Sequence, residues 1–192
     1  NWRDEKFHTQ ESWFKALNKS QVILIPHPHI NRTNWDYHCP ELEPVAEICS
    51  DKGISEKTDP PGIKTPSRGG VRKGLRRGYR LGIIASGDYH FNIPGRNYPC
   101  KTKTGYAGAT THRGGYMAVL VRELSREEVW NALKQRRCYA TTGARIILDF
   151  SLDGHMMGEE YTSSEVRNIH IRVIGTNVID KIELIKNSRV IY

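Results

Sequence analysis

The sequence predicts an α/β domain followed by a small antiparallel β module. Up to about residue 143, short apolar runs rich in β-branched residues alternate with segments of helical periodicity, as expected of strands that pack against helices. From residue 144 onward, apolar and polar residues alternate with a period of two, and turn-forming pairs separate the runs. We therefore expect two units, 1–143 and 144–192.

The first elements of the α/β unit are a helix and two strands. Residues 11–19 place aromatic and aliphatic side chains at helical spacing, so they are expected to form a helix. The run 21–26 is apolar and β-branched and predicts a strand that Pro26 ends. Residues 44–50 predict a second buried strand, and the Gly-, Pro-, Lys- and Ser-rich stretch 51–70 predicts a surface loop.

The pattern continues through the rest of this unit. Residues 71–80 predict a helix and 81–86 a buried strand. A glycine-rich stretch, 91–115, has little periodicity and predicts a long loop of the kind that is often functional. Residues 116–121 predict another strand, and 126–136 predict the clearest helix of the chain.

The helix start and the β module have specific local signals. Ser125 is expected to cap the helix, with Glu128 completing a capping box. In the module, 144–154 predicts a strand that ends in an Asp-Gly turn, and 168–175 predicts a second strand. The segment 181–192 predicts a strand, a turn and another strand.

Composition and charge limit the classes of function. Hydrophobic residues make up 38% of the 192 residues, which is enough for a packed core, and no run reaches the ~18 apolar residues of a membrane span. The net charge of +8 favours anionic partners, which include phosphorylated small molecules, nucleic acid and anionic lipid, and it does not choose among them. Nucleic acid is less favoured, because the basic stretch has few interleaved aromatic residues. Four cysteines without a CxxC pair argue against a Cys-rich zinc site, and nothing indicates the compartment.

Residues suited to metal binding follow three predicted strands. His27 and His29 come after the first strand, Glu47 lies within the second, and Asp88 and His90 come after the third. The carboxyl ends of parallel strands meet at one edge of a sheet, so these side chains are expected to lie close together. Histidine and carboxylate are the ligands of zinc, manganese and iron sites.

Longer motifs carry a family resemblance. The segments "GYRLGIIASGDYHFNIPGR" and "RELSREEVWNALKQRRCYATTGARIILDFSLDGHMMGEE", with "LIPHPH" and "PVAEICSDKG" before them, resemble the PHP (polymerase and histidinol phosphatase) superfamily over roughly residues 12–192. The similar branch is catalogued as a domain of unknown function. The resemblance implies the C-terminal part of a distorted (β/α)7 barrel with two or three divalent ions, either zinc, manganese or iron. It also implies hydrolysis of a phosphoester or related anionic ester by a metal-bound hydroxide.

The resemblance also assigns roles to single residues. Its metal ligands correspond to four side chains: His27, Glu47, Asp88 and His90. Asp88 and His90 are in addition the expected catalytic pair. His29 matches the family pattern more weakly and is expected to contact the substrate. Apart from the resemblance, substrate contacts are also expected from Arg96 and from His112 and Arg113 of the glycine-rich loop, which could otherwise be an ordinary surface loop.

The chain departs from the PHP pattern in two places. It lacks the opening His-x-His motif, and it has Lys52 where a histidine is common. We therefore expect the first half of the barrel to come from an N-terminal part of the same protein or from a separate chain.

A basic segment and two rival functions remain open. Between residues 64 and 80 the chain has seven basic residues and no acidic one: Lys64, Arg68, Arg72, Lys73, Arg76, Arg77 and Arg80. They could form a solvated helix face, steer an anionic substrate or contact nucleic acid. The alternatives to a hydrolase are a non-catalytic binding or scaffold module and a basic nucleic-acid-binding domain.

Overall fold

The structure is a computed structural model that describes residues 9–28, 33–56, 69–88, 95, 114–164 and 166–192. Its helices within these ranges are α1 (Gln10–Ala16), α2 (Val71–Arg76) and α3 (Arg126–Lys134). None of the helices in the described ranges has both the length and the apolar character that a membrane span needs.

A three-stranded sheet holds the centre of the molecule. Strand β1 (Val45–Ser50) pairs with β2 (Gly53–Ile54) in a tight antiparallel hairpin, and on its other side with β3 (Gly82–Ala85) in parallel. The register between β1 and β3 shifts between Glu47 and Cys49, so the pairing is irregular there. All but one residue of β1 are buried, because elements cover both faces of this strand.

Two further strands pack beside β3. Strands β4 (Tyr116–Val119) and β5 (Cys138–Thr141) pair in antiparallel over four residue pairs, although α3 connects them. A Cβ atom at Gly82 of β3 would lie only 2.9 Å from Sγ of Cys138, so glycine allows β3 and β5 to approach closely.

The core has two parts, one on each face of the β1–β3 pair. On one face, Trp35 packs against Ala46 and against Val71 of α2. On the other face, Val45 and Ile84 pack with Cys138. These side chains are between 0% and 6% exposed, so the sheet is a central layer with packed residues above and below it.

Lys134, the last residue of α3, ties this helix to the N-terminal part of the chain. Its Nζ donates hydrogen bonds to the carbonyl oxygens of Lys19, Val22 and Glu41 at 2.9, 3.1 and 2.6 Å. Burial lowers the pKa of Lys134, while nearby groups, Cys39 and Glu41, raise it. One ammonium therefore uses its three donors to hold two separate backbone segments.

The C-terminal module is built of antiparallel strands. Strands β6 (Ile147–Leu152) and β8 (Ile169–Ile174) pair over six residue pairs, and β7 (His155–Met156) lies on the other edge of β6. Strands β9 (Ile185–Lys186) and β10 (Arg189–Val190) form a separate hairpin. None of the described residues after Cys138 is buried.

The turns of the module agree with the sequence. Asp153 and Gly154 both have positive φ angles, of 52° and 82°, as a two-residue hairpin turn requires. Asn187 and Ser188 also have positive φ angles, of 51° and 62°. The predicted turns at these two places are therefore present.

The predicted (β/α)7 barrel is wrong. Within the described ranges, the strands form small separate sheets, and no barrel closes. In a (β/α) barrel every strand runs parallel to its neighbours and is followed by a helix. Here only β1 and β3 pair in parallel, and β4 and β5 are antiparallel despite the helix between them. The directions of these strands do not allow a barrel.

The run 21–26 is not a strand. It lies extended beside β1, where Leu24 N donates to Leu42 O at 2.6 Å and Glu47 N donates to Pro26 O at 3.0 Å. Proline at position 26 has no N–H to donate, so a regular ladder cannot form there. Strand β5 was not predicted from the sequence.

The helix predictions hold with shorter ends. Helix α1 ends at Ala16, α2 at Arg76 and α3 at Lys134. Ser125 caps α3 by accepting a hydrogen bond from Glu128 N at 3.2 Å. The Glu128 carboxylate instead accepts a hydrogen bond from Arg122 N at 3.4 Å, so it does not complete the predicted capping box with Ser125.

Candidate functional site

The candidate site lies where β1 and β3 approach their carboxyl ends. Glu47 comes from β1, Asp88 follows β3, and His27 follows the extended segment beside β1. The hydrogen bond from Glu47 N to Pro26 O places His27 next to Glu47. The structure thus brings together three side chains that the sequence suggested from separate parts of the chain.

Glu47 connects His27 to β3. One carboxylate oxygen contacts Nδ1 of His27, and the other accepts a hydrogen bond from the hydroxyl of Ser86. The Glu47 side chain is 9% exposed, so its charge is largely removed from water and needs these partners. The contact at Nδ1 fixes the orientation of the imidazole ring and directs Nε2 away from Glu47.

Asp88 faces the other nitrogen of His27. The distance from Oδ2 of Asp88 to Nε2 of His27 is 3.9 Å. Asp88 has a φ angle of 48°, and its N–H donates to the Ser86 hydroxyl at 3.2 Å. Positive φ is uncommon for residues other than glycine, though aspartate tolerates it better than most, and such positions are frequent at functional sites.

Asp51 and Lys52 form a second charged pair in the same place. They make the two-residue connection between β1 and β2. Nζ of Lys52 lies 3.0 Å from Oδ1 of Asp51 and 3.6 Å from Oδ2 of Asp88. The Asp51 side chain is 1% exposed. The sequence did not predict Asp51 or Ser86 as site residues. The one feature that could have indicated Asp51 is its position, because it is an acidic residue directly after a buried strand.

Burial shifts the pKa values of two groups near the site. Loss of hydration raises the pKa of Asp51 above its ordinary value, and the nearby charge of Asp88 raises it further, while Lys52 opposes both effects. Burial also raises the pKa of the Cys49 thiol, and the charge of Glu47 adds to this shift.

The described residues fit a divalent ion in part. A histidine whose Nδ1 is held by a carboxylate is the usual arrangement of a metal-ligating imidazole. Two hydrogen-bond acceptors, Asp88 Oδ2 and a neutral Nε2 of His27, would repel each other at 3.9 Å unless a cation or a proton lay between them. Within the described ranges, however, no group of three or more His, Cys, Asp or Glu side chains could hold a metal ion.

The other predicted site residues lie outside the residues that the structure describes. His90, the fourth expected ligand and second catalytic residue, lies outside the described residues. The same holds for all the expected substrate contacts: His29, Arg96, His112 and Arg113.

A cavity of about 410 Å³ opens beside His27. Trp13 and Phe14 of α1 line one side, and Leu24 and Glu43 contribute to the rest. A cavity of this size next to a histidine and lined by aromatic side chains has the character of a small-molecule site.

The basic segment is partly neutralised by acidic partners. Nε of Arg72 lies 3.1 Å from Oε1 of Glu56. Arg77 pairs with Asp36 and also donates to the carbonyl oxygen of Trp35. Arg80 pairs with Glu160 of the C-terminal module. These contacts favour a structural role for the three arginines over a surface that collects anions.

Relatives of the chain occur in chlamydiae. An uncharacterized protein of Chlamydia trachomatis is 33% identical over 93% of this chain, and the match covers 31% of that protein. An uncharacterized protein of Chlamydia pneumoniae is 31% identical over 93% of the chain and is covered over 30%. A third, from Chlamydia muridarum, is 32% identical over 77% of the chain and is covered over 25%. The chain therefore spans about a third or less of the length of these relatives.

No solved structure matches the chain. Neither the relatives nor the matching family model points to the PHP superfamily, so the resemblance drawn from the sequence is wrong as a family assignment. The coarser expectation of a domain of unknown function is confirmed. Over residues 77–171 the chain is similar to the family described as "Protein of unknown function (DUF3604)".

Proposed function

We propose that this chain contributes part of the active site of a metal-dependent hydrolase that cleaves a phosphoester or a related anionic ester. The observation that carries the proposal is the meeting of His27, Glu47 and Asp88 near the carboxyl ends of two parallel strands. Catalytic groups of α/β folds are commonly built at this edge of the sheet. The pairing of β1 with β3 is irregular next to Glu47, and irregular pairing can change the direction of a side chain.

Each described residue has a separate task in this proposal. His27 and Asp88 would hold the cation, through Nε2 and a carboxylate oxygen that lie 3.9 Å apart. Glu47 holds Nδ1 of His27 and keeps the ring oriented, which makes it a positioning residue. Ser86 stabilises both carboxylate residues, because its hydroxyl donates a hydrogen bond to Glu47 and accepts one from Asp88 N.

A bound divalent ion would act as a Lewis acid on the ester and make water a better nucleophile at neutral pH. Zinc, manganese and iron suit the nitrogen and oxygen donors of His27 and Asp88. His90 and a further segment of the same protein or of a separate chain are the proposed sources of additional ligands. The cavity beside His27 would hold the organic part of the substrate.

Metal content and turnover test the proposal together. The metal-stripped protein would be loaded with Zn²⁺, Mn²⁺ or Fe²⁺, the bound metal measured by elemental analysis, and hydrolysis followed with an aryl phosphate. We expect Asp88→Asn to lose most of the bound metal and the hydrolysis, because Asn keeps the shape and removes the charge. We expect Glu47→Gln to weaken metal binding by about 10- to 100-fold, as for other residues that orient a ligand.

Asp149→Asn is the matched control. Asp149 lies on β6 in the module, is paired with His170 at 4.0 Å and is exposed, so its change should alter neither metal content nor turnover. If Asp88→Asn binds metal and turns over substrate as the unchanged protein does, while its circular dichroism spectrum is native, the proposed function is wrong.

A non-catalytic binding module is the second candidate. Lys52 favours it, because its ammonium already offsets part of the negative charge of Asp51 and Asp88 without any metal ion. In that case the protein would bind an anionic ligand near Lys52 but release it unchanged. Binding of an aryl phosphate without product formation, in the presence of each metal, would favour this candidate over the hydrolase.

A further inference from the structure

Lys52 brings a positive charge into the acidic group at the end of β1. Its Nζ lies between Asp51 and Asp88, 3.0 Å and 3.6 Å from their nearest carboxylate oxygens. The Asp88 oxygen that faces Lys52 is the same atom that lies 3.9 Å from Nε2 of His27. Lys52 and a cation held by His27 would therefore share one carboxylate.

Asp51 requires a positive charge at this place. Its side chain is 1% exposed, and a buried carboxylate is strongly unfavourable without a compensating partner. Oδ1 of Asp51 forms no hydrogen bond of normal geometry within the described residues, although the ammonium lies 3.0 Å away. The same ammonium donates a hydrogen bond to Oδ2 of Asp51 at 3.2 Å, so Lys52 compensates this carboxylate both by its charge and by a hydrogen bond.

The backbone fixes the position of Lys52. Ser50 and Gly53 are paired across the hairpin, so Asp51 and Lys52 occupy a connection of minimal length. Lys52 N donates to the Ser50 hydroxyl at 3.2 Å, and the Lys52 side chain is 28% exposed. A short hairpin held at both ends leaves this side chain less freedom than a lysine on a loop would have.

We propose that the ammonium of Lys52 takes the position between Asp51 and Asp88 that a divalent cation would otherwise occupy. In two-metal sites the ions lie ~3.5–4 Å apart and share ligands. Asp88 is the side chain that two cations could share here. The ammonium of Lys52 already occupies one of the two positions beside the Asp88 carboxylate. The inference rests on the proposed function for a cation beside His27, but it concerns the number of cations and not the reaction.

Counting bound Mn²⁺ tests this role. Lys52→Gln removes the charge and keeps a similar length, while Lys52→Arg keeps the charge and serves as the matched control. Each metal-stripped protein would be titrated with Mn²⁺ by calorimetry, and the bound ion would be counted by elemental analysis. We expect Lys52→Gln to bind one equivalent more than the unchanged protein, and Lys52→Arg to bind the same number as the unchanged protein.

The outcomes separate this inference from the proposed function. Equal numbers of Mn²⁺ in Lys52→Gln and in the unchanged protein would overturn the role of Lys52. No Mn²⁺ in the unchanged protein but one equivalent in Lys52→Gln would defeat the hydrolase and support the role of Lys52.

Stability provides a second readout should Lys52→Gln fold poorly. Mn²⁺ should raise its thermal midpoint more than that of the unchanged protein, because the ion replaces the lost charge beside Asp51. A variant that stays unfolded in saturating Mn²⁺ would count against the inference.

Discussion

The two parts of the molecule use β structure in different ways. In the part up to residue 143, both faces of β1 are covered, and Val45, Ala46 and Leu42 are 0% exposed. In the C-terminal module, β6 and β8 pair over six residue pairs, yet none of the described residues there is buried. The comparison shows that strand pairing and core formation are separate properties. A sheet forms a buried core only when another layer of the protein covers its face.

The apolar residues of the module show the same difference. Ile147, Ile174 and Val190 are 56%, 42% and 55% exposed, whereas Ile84 of β3 is 5% exposed. A buried aliphatic side chain contributes about 1.5–3 kcal/mol relative to an exposed one. We therefore expect core substitutions in the first part to cost much more than similar changes in the module.

The largest effect is expected from Trp35→Ala. Trp35 is 1% exposed, packs on Val71 and Ala46, and donates its indole N–H to the carbonyl oxygen of Gly69. Removing it should lower the free energy of unfolding by about 3–5 kcal/mol. Ile174→Ala in the module should cost less than about 1 kcal/mol, as for other half-exposed positions. Equal losses in urea titrations would mean that the two parts do not differ as described.

The next effect concerns pH and the buried thiol of Cys138. Burial raises its pKa from 9.0 to about 11. Below pH 9 the thiol is protonated in both states and its contribution is complete. Between pH 9 and 11 the unfolded chain releases the proton and the folded chain keeps it, so stability falls by up to about 3 kcal/mol.

Cys138→Ala isolates this contribution, because other groups also titrate in alkali. Between pH 9 and 11, the free energy of unfolding should fall less steeply in the variant than in the unchanged protein. Urea unfolding at each pH would measure this difference. Identical slopes for the two proteins would exclude a raised pKa at this thiol.

A third effect is expected at the end of α3. Lys134→Met removes the hydrogen bonds to three carbonyl oxygens and should cost about 2 kcal/mol, since hydrogen bonds from charged groups are stronger than neutral ones. Lys186→Met on the exposed strand β9 should change the free energy of unfolding by less than about 0.5 kcal/mol. A similar small change for Lys134→Met would show that water replaces the ammonium without loss.

The smallest effect is expected in the last hairpin and has the opposite sign. Ser188 has a φ angle of 62°, which glycine adopts without the steric cost of a Cβ atom. Ser188→Gly should therefore stabilise the β9–β10 pair by about 0.5 kcal/mol. Asn187→Gly should stabilise the hairpin by a smaller amount, because asparagine tolerates a positive φ angle better than serine does. Hydrogen exchange of the hairpin amides would detect both changes, and faster exchange in Ser188→Gly would contradict the expectation.

The sequence predicted the parts of the fold that depend on local pattern. Ser125 was correctly identified as the helix cap, and Asp153 with Gly154 as a turn, because the signal for each lies within a few residues. The barrel was implied by the family resemblance, and the residue pattern could not correct it, because a short buried strand has the same pattern whether its neighbour is parallel or antiparallel. Strand direction depends on where the chain returns after each helix, and no local pattern records this.

The site shows the same limit. His27, Glu47 and Asp88 were singled out because each is a polar residue within or directly after a predicted strand, and the structure places them together. Asp51 was not, because residues after position 50 were expected to form a surface loop. The chain instead turns back at once into β2, and this hairpin buries Asp51 against Lys52.

The three hydrogen bonds of Lys134 also bear on the order in which the chain folds. They join residues that are 115, 112 and 93 positions apart, so each closes a long loop. Contacts of such high sequence separation carry a large entropy cost and tend to lower the folding rate. If they form after the transition state, their strength acts on the unfolding rate and not on the folding rate. Lys134 would then determine how long the native state persists more than how quickly it is reached.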